Sequence, residues 1–254
     1  MSQQIVVLAG GKGSRMASPI PKVLIPLHGK PIIKHLLDKV ENIEQDTNPV
    51  IVVGFKSDLV KEELGSEYLY AHQTEQNGTA HAVLTSKPQV TAKNFIVLNG
   101  DMPFLTRQSL EKLIDIHKST EAKVSMMTVK LPNFEGSYEH FQSFGRIIRD
   151  EFGNIQKIQE YKDCTEEQKK ITEVNTGEYM FNSEWVWKHL EEIGHTNAQN
   201  EFYLTDIIEI AIRDNQTVSS LHIQPEEMLG INTPVDLEKA KVLAPMFTYE
   251  KTTV

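Results

Sequence analysis

Residues 5–8, Ile-Val-Val-Leu, are an apolar run with no polar alternation, and the run stops abruptly in Ala9-Gly10-Gly11-Lys12-Gly13-Ser14-Arg15-Met16. A strand that is apolar on both faces has to be covered on both faces, which is the situation of a parallel strand between two helix layers. Two more such runs follow, Val-Ile-Val-Val at 50–53 and Phe-Ile-Val-Leu at 95–98. The segments between and after them carry helical spacing. Residues 31–43 repeat at Ile32, Ile33, Leu36, Leu37 and Val40, with Pro31 suited to a first helical turn. Residues 106–117 repeat at Leu110, Leu113, Ile114 and Ile116. Strand–helix–strand alternation of this kind predicts an α/β fold with a mostly parallel central sheet and crossover helices.

The pattern changes near Ala122. Residues 122–131 alternate and are rich in β-branched residues and Met. Residues 146–149 and 155–160 bracket 150–154, which predicts a hairpin with Gly153 in its turn. Residues 173–181 predict another strand. A smaller mixed or antiparallel part is therefore expected on the same domain. Residues 80–84 and 203–213 read as helices, the latter amphipathic, and 234–242 as a terminal helix with Thr233 as N-cap. No repeat or linker divides the chain. The expectation is one domain over 1–254: a first half at 1–120, a second half at 121–232, and a C-terminal helix and tail at 233–254.

Ligands of open α/β sheets sit beyond the carboxyl ends of the strands. The glycine loop follows the first run and Asn99-Gly100-Asp101 follows the third, so both motifs fall on one rim. Successive backbone N–H groups in a glycine-rich turn form an anion-binding concavity, and Lys12, Arg15 and Lys22 bring cations to it. A P-loop is excluded because no Gly-Lys-Ser/Thr is present, and a dinucleotide fingerprint because Met16 takes the last glycine position. On spacing alone, a strand-to-helix turn with surface cations fits as well as a phosphate loop.

The string LAGGKGSRM at 8–16 with PKVL at 21–24 resembles the opening of the sugar-nucleotide pyrophosphorylases, nucleotidyltransferases that join a nucleoside triphosphate to a sugar 1-phosphate. QTEQNGTAHA at 73–82, LNGDMP at 98–103, FGRI at 144–147, EYKD at 160–163, EVNTG at 173–177, NEFYLTD at 200–206 and GIN at 230–232 continue the likeness in order, to about Leu237. The set is most similar to the uridylyltransferase half of bacterial N-acetylglucosamine-1-phosphate uridyltransferases. The resemblance implies a Rossmann-like nucleotide-diphospho-sugar transferase fold, small-molecule substrates, Mg²⁺, and transfer from UTP to a sugar 1-phosphate, N-acetylglucosamine 1-phosphate first.

It also implies roles, with 1–120 mainly the nucleotide-binding half and 121–232 mainly the sugar-binding half. Arg15 and Lys22 are the catalytic cations. Leu8, Ala9, Gly10, Gly11, Gln73, Gln76, Gly78 and Thr79 hold the nucleotide. Asn99, Gly100, Gly145, Glu160, Asn175 and Thr205 hold the sugar, and Asp101 with Asn232 holds the metal. The chemistry agrees with the residue types. Two anions must meet, so catalysis needs cations, N–H donors and a divalent metal rather than a general base. Plainer readings stand beside these: Lys22 as a solvated lysine after a turn, Asp101 as a turn former, Asn232 as a cap, Thr79 as a helix cap, and Glu160 in a surface ion pair.

With 26 Lys+Arg against 35 Asp+Glu the net charge is −9, which argues against a nucleic acid or an anionic membrane as partner. Cys164 is the sole cysteine, so no intrachain disulfide forms. It fits a reducing, cytoplasmic setting and carries no catalytic signature. No apolar stretch reaches the roughly 18 residues of a membrane span, and neither end reads as a signal peptide. The nine histidines form no metal motif, and His35, His81 and His117 are expected to be structural or exposed. Nothing specifies an oligomeric state.

Three departures from the family pattern stand out. Asn99 occupies a position where many bacterial uridyltransferases have Tyr, and Glu178 one where an apolar residue is expected. No hexapeptide repeats follow, so acetyl transfer is not expected. Two alternatives stay open: a related pyrophosphorylase using dTTP or CTP with glucose 1-phosphate or a phosphorylated alcohol, and a non-catalytic regulatory subunit that binds a sugar nucleotide.

Overall fold

A computed structural model describes residues 3–194, 197–198 and 201–248. Nine strands form one sheet: β1 (Gln3–Leu8), β2 (Val50–Val53), β3 (Leu69–His72), β4 (Asn94–Asn99), β5 (Val124–Lys130), β6 (Arg146–Arg149), β7 (Ile155–Gln159), β8 (Glu173–Asn182) and β9 (Val218–His222). Along the sheet the order is β9-β5-β8-β4-β1-β2-β3. The β1–β2, β1–β4, β2–β3 and β9–β5 pairs are parallel. β8 runs antiparallel between β4 and β5, and it also pairs with the β6–β7 hairpin. The expected hairpin is present, with Gly153 in its turn.

Alternating side chains face opposite layers, which is why the central runs carry no polar residue. Ile5, Val7, Ile51, Val53, Ile96 and Leu98 pack with α1 (Ile32–Val40), α2 (Ser57–Leu64) and α4 (Arg107–Ser119). Val6, Val50, Val52, Phe95 and Val97 pack on the other face with α3 (Thr79–Thr85), α6 (Ser183–His189) and α7 (Ile207–Arg213). A short α5 (Glu166–Lys169) lies between β7 and β8 in the chain, and α8 (Pro234–Thr248) closes it.

α1 illustrates what holds these elements. Nine residues are too few for a stable isolated helix, and its N-cap Pro31 supplies no side-chain cap. Its five apolar residues are all buried, each worth about 1.5–3 kcal/mol. Burial, not local propensity, makes this helix.

Several boundaries differ from the sequence reading. Pro31 precedes α1 in a two-stranded ribbon with Pro26–Leu27 instead of opening the helix. The segment expected as one helix over 203–213 divides into a 3₁₀ turn at Leu204–Asp206 and α7. The terminal helix runs past 242 to Thr248, passing Pro245. Thr233 does serve at its start: the Asp236 N–H donates to Thr233 Oγ1 at 3.2 Å. Asn200 of the NEFYLTD string and the tail from 249 lie outside the described residues.

Candidate active site

The rim beyond β1 and β4 is built from three pieces of chain. After Leu8 the backbone passes Gly10 and Gly11 into a 3₁₀ turn at Ser14–Met16, then a second at Lys22–Leu24. Gly13 lies at φ +61°, and a Cβ there would sit 2.6 Å from Lys22 Cβ. Glycine at 13 thus lets the Lys22 stem cross the loop. Val23, 4% exposed, anchors that turn in the core.

Lys22 Nζ donates to Asp101 Oδ2 at 2.5 Å and to Asn232 Oδ1 at 2.8 Å, and Arg15 Nη2 donates to the same Asn232 oxygen at 3.2 Å. Asn232 reaches this point because Ile231 N–H donates to the Asp101 carbonyl at 3.0 Å. Asp236 then holds the backbone N–H groups of Asn232 and Thr233. Residues far apart in sequence thereby converge on one ammonium group. Both side chains are largely buried, at 14% and 13% exposure, so Lys22 is not a solvated lysine, whereas Asp101 does sit in a turn, where the Met102 N–H donates to the Asn99 carbonyl at 3.2 Å. Lys12 is exposed and leans toward the Phe55 ring.

All eight residues assigned to the nucleotide (Leu8, Ala9, Gly10, Gly11, Gln73, Gln76, Gly78 and Thr79) line one cavity of about 340 Å³, together with Lys22, Asn99 and Asp101. Gln76 Nε2 donates to the Gly10 carbonyl at 2.8 Å, and Gln73 Nε2 faces the Gly78 carbonyl at 3.4 Å and His81 Nδ1 at 3.2 Å. Thr79 is not a side-chain cap. It is the first residue of α3, and its hydroxyl accepts from the Leu204 N–H at 3.1 Å. Val23, Ala82 and Glu201 also line the cavity and were not singled out from sequence. All three lie inside the quoted strings, which was the available signal.

Four of the six residues assigned to the sugar, Gly145, Glu160, Asn175 and Thr205, form a second cluster. Asn175 N–H donates to the Gly145 carbonyl at 2.9 Å, and Thr205 Oγ1 donates to Glu160 Oε1 at 3.0 Å. A side chain at Gly145 would meet Ile158 Cγ2 at 3.0 Å and Glu160 Oε1 at 3.5 Å. Tyr179, buried on β8, donates its hydroxyl to Asn175 Oδ1 at 2.9 Å. Among the described residues Glu160 makes no ion pair; burial pushes its carboxyl up against the Thr205 bond, helped by Asp206 and Asp163. Gly100 packs its backbone on β1, donating to the Leu8 carbonyl at 3.0 Å. Of the six, only Asn99 lines the cavity.

Arg146 of the FGRI string is fully buried with no carboxylate partner. Its guanidinium donates to the carbonyls of Phe144 and Gln142 and stacks on the Phe134 and Tyr161 rings. It fixes the backbone that leads into Gly145. His117 is buried between Ser125 and Asn94, a structural role as expected. Burial pushes the half-exposed Cys164 thiol up, away from a reactive thiolate. No described helix is long and apolar enough to cross a membrane.

The fold is that of a nucleotidyltransferase: residues 4–225 match the family described as nucleotidyl transferase, and the chain belongs to it. Among curated relatives, the bifunctional protein GlmU of Geobacillus sp. (strain WCH70) is 40% identical over 240 residues, 93% of this chain and 50% of that protein. The bifunctional protein GlmU of Exiguobacterium sibiricum is 39% identical over 244 residues, 95% of this chain and 53% of that one. The chain thus spans about half the length of these relatives. Solved structures confirm the fold. A UDP-glucose pyrophosphorylase complexed with UDP-glucose superposes with a TM-score of 0.79 at 15% identity, covering 97% of this chain and 99% of that one. A CMP:2-keto-3-deoxy-manno-octonic acid synthetase complexed with CTP gives 0.69 at 15% identity, covering 97% and 99%.

Proposed function

We propose that the chain transfers a uridylyl group from UTP to a sugar 1-phosphate, N-acetylglucosamine 1-phosphate first, giving the UDP-sugar and pyrophosphate. The observation that carries this reading is the convergence of Arg15, Lys22, Asp101 and Asn232 at the edge of a cavity walled by Gly10–Gly11 and Gln73–Thr79. The ordered family strings and the roughly 40% identity to the curated relatives support it.

One phosphate oxygen of the sugar 1-phosphate forms a bond to the α-phosphorus of UTP while the bond from that phosphorus to the β-bridging oxygen breaks, and pyrophosphate leaves with the electron pair. The attacking oxygen is already an anion, so no side chain has to remove a proton. The protein positions the anions and offsets their charge. Arg15, a planar fork suited to phosphate oxygens, holds the triphosphate and the leaving pyrophosphate. Lys22 places its ammonium at the reacting centre. Gln73 and Gln76 each offer both a donor and an acceptor, as the edge of uracil requires.

Mg²⁺ fits the residues present. Among the described residues no group of three His, Cys, Asp or Glu side chains could hold a metal. Mg²⁺ asks for less: one or two hard oxygens plus phosphates and water. Asp101 Oδ2 and Asn232 Oδ1 already converge on a cation, the Lys22 ammonium, and are the residues that would hold the metal. Bound there, Mg²⁺ would neutralise phosphate charge.

Incubation of the purified protein with Mg²⁺, each of UTP, dTTP and CTP, and a panel of sugar 1-phosphates tests the reading. UTP-dependent pyrophosphate release with N-acetylglucosamine 1-phosphate is expected. Faster release with dTTP or CTP moves the assignment to another pyrophosphorylase. Tight sugar-nucleotide binding without any release makes the chain a regulatory subunit.

A further inference from the structure

The two residues that depart from the family pattern, Asn99 and Glu178, are partners. β8 pairs with β4 from Asn182–Asn94 to Tyr179–Val97 and stops two residues short of Asn99. Its register against β5 shifts between Asn175 and Tyr179. This irregularity leaves the last residue of β4 without a main-chain partner on that side, and the Glu178 carboxyl fills the gap. Glu178 Oε1 accepts from the Asn99 backbone N–H at 3.4 Å and from Asn99 Nδ2 at 3.0 Å. Asn99 Nδ2 also donates to the Gly177 carbonyl at 3.3 Å.

These contacts fix which way the amide faces. A backbone carbonyl only accepts, so the atom turned to Gly177 must be the nitrogen. Both amide donors of Asn99 are then committed to β8, and a Cβ at Gly177 would come within 2.8 Å of that nitrogen. Asn99 Oδ1 makes no hydrogen bond to a described residue, and Asn99 lines the cavity. Glu178 is 0% exposed, and its Oε2 has no hydrogen-bond partner among the described residues. A fully buried carboxylic group is costly unless it serves another group. Its partners here are Asn99 and the Thr176 hydroxyl, and of these only Asn99 lines the cavity.

Resting on the sugar-phosphate reading above, we propose that Glu178 is a positioning residue that locks Asn99 with its carbonyl oxygen toward the cavity, so that the pair selects a sugar phosphate presenting a hydrogen-bond donor there. An ionised phosphate has no donor to offer that oxygen. The group recognised is therefore a sugar hydroxyl or an acetamido N–H, and the two are separated by comparing N-acetylglucosamine 1-phosphate with glucose 1-phosphate and with deoxy analogues.

Glu178→Leu removes the acceptor, Glu178→Gln keeps one through its amide oxygen, and Asn99→Ala removes the residue through which Glu178 acts. Glu178→Leu should raise KM for the sugar phosphate about tenfold, the worth of one hydrogen bond. KM for UTP should stay unchanged, Glu178→Gln should restore much of the loss, and Glu178→Leu should add nothing in the Asn99→Ala background. An equal effect of Glu178→Leu with and without Asn99, or an unchanged sugar KM, overturns the proposal. The side-chain NH₂ protons of Asn99, followed by NMR, give a readout independent of turnover. They should exchange slowly in the wild type and in Glu178→Gln, and fast in Glu178→Leu; equal rates refute the positioning role. A wild-type protein inert toward every sugar phosphate sinks the functional reading, and the selectivity half of this proposal with it. Ordinary turnover with an unmoved sugar KM sinks the proposal alone.

Discussion

Replacing Gly78 by Ala should open the nucleotide side of the cavity. Gly78 lies at φ +106°, ψ 176°, a region occupied almost only by glycine, at a cost of about 1–3 kcal/mol for any other residue. An added Cβ would also fall 2.5 Å from the carbonyl oxygen of Phe202 and 2.7 Å from its nitrogen. Both are backbone atoms, so residues 201–204 would have to retreat as a unit. That retreat breaks the Phe202 N–H bond to the Asn77 carbonyl (2.9 Å), the Ala80 N–H bond to the Phe202 carbonyl (3.0 Å) and the Leu204 N–H bond to Thr79 (3.1 Å). At about 1 kcal/mol each, together with the backbone strain, the substitution costs about 4–6 kcal/mol. Expressed globally, this lowers Tm by roughly 8–24 °C in a chain of this size. Expressed locally, the clamp opens, Tm moves less, and UTP binding weakens by an order of magnitude or more. Calorimetric melting and UTP titration of Gly78→Ala separate the two. A variant with Tm within a degree of wild type and unchanged UTP affinity would refute the reasoning.

Arg149→Ala should destabilise the chain by about 3–5 kcal/mol in urea unfolding, because it strands a buried carboxylate. Glu173 is 6% exposed and takes a bidentate grip from Arg149 at 2.8 and 2.6 Å. Burial pushes its carboxyl up, but Arg149 outweighs that and holds it below the usual range. The double variant Arg149→Met/Glu173→Met should recover most of the loss. Burial raises the Glu178 carboxyl to about 8. The folded state therefore holds a proton that the unfolded chain releases near pH 4.5, and stability falls as pH rises from about 4.5 to 8, by a few kcal/mol. Urea midpoints of Glu178→Gln should lack this slope, and a parallel slope would be contrary. His117 has the opposite sign. Burial, with Lys123, lowers it to about 4, so its contribution is complete above pH 6.5 and is lost as pH falls toward 4, up to about 3 kcal/mol. His117→Gln should be the less acid-sensitive protein.

The central strands were legible because both of their faces are buried, which leaves runs such as Ile5-Val6-Val7 with no polar residue. β3 and β9 were not legible. Each is an edge strand paired on one side only, and sequences such as Leu69-Tyr70-Ala71-His72 mix exposed and buried positions with no continuous run. The glycine loop and Asn99-Gly100-Asp101 could be placed on one rim from topology alone. The pairing of Lys22 with Asn232 spans 210 residues and no local pattern encodes it; the resemblance named Lys22 as a catalytic cation and Asn232 as a metal ligand beside Asp101 without joining the two. Glu178 was visible in the sequence as an exception and stayed unexplained there, because its partner lies 79 residues away on another strand. Arg146, on the expected hairpin, is a core residue, and that was not legible because carbonyls and aromatic rings, which sequence spacing does not reveal, take the place of a carboxylate.

The claim that Arg15, Lys22, Asp101 and Asn232 form the reacting centre of a metal-assisted uridylyl transfer is tested most directly at Asp101. The measurement is Mg²⁺-dependent pyrophosphate release from UTP and N-acetylglucosamine 1-phosphate by the wild type and by Asp101→Asn, with folding followed by circular dichroism. A fall in kcat of about a hundredfold or more, the order seen when a preorganised electrostatic group is removed, in a protein that keeps its fold is the expected result. Turnover equal to wild type in a folded Asp101→Asn protein would contradict it.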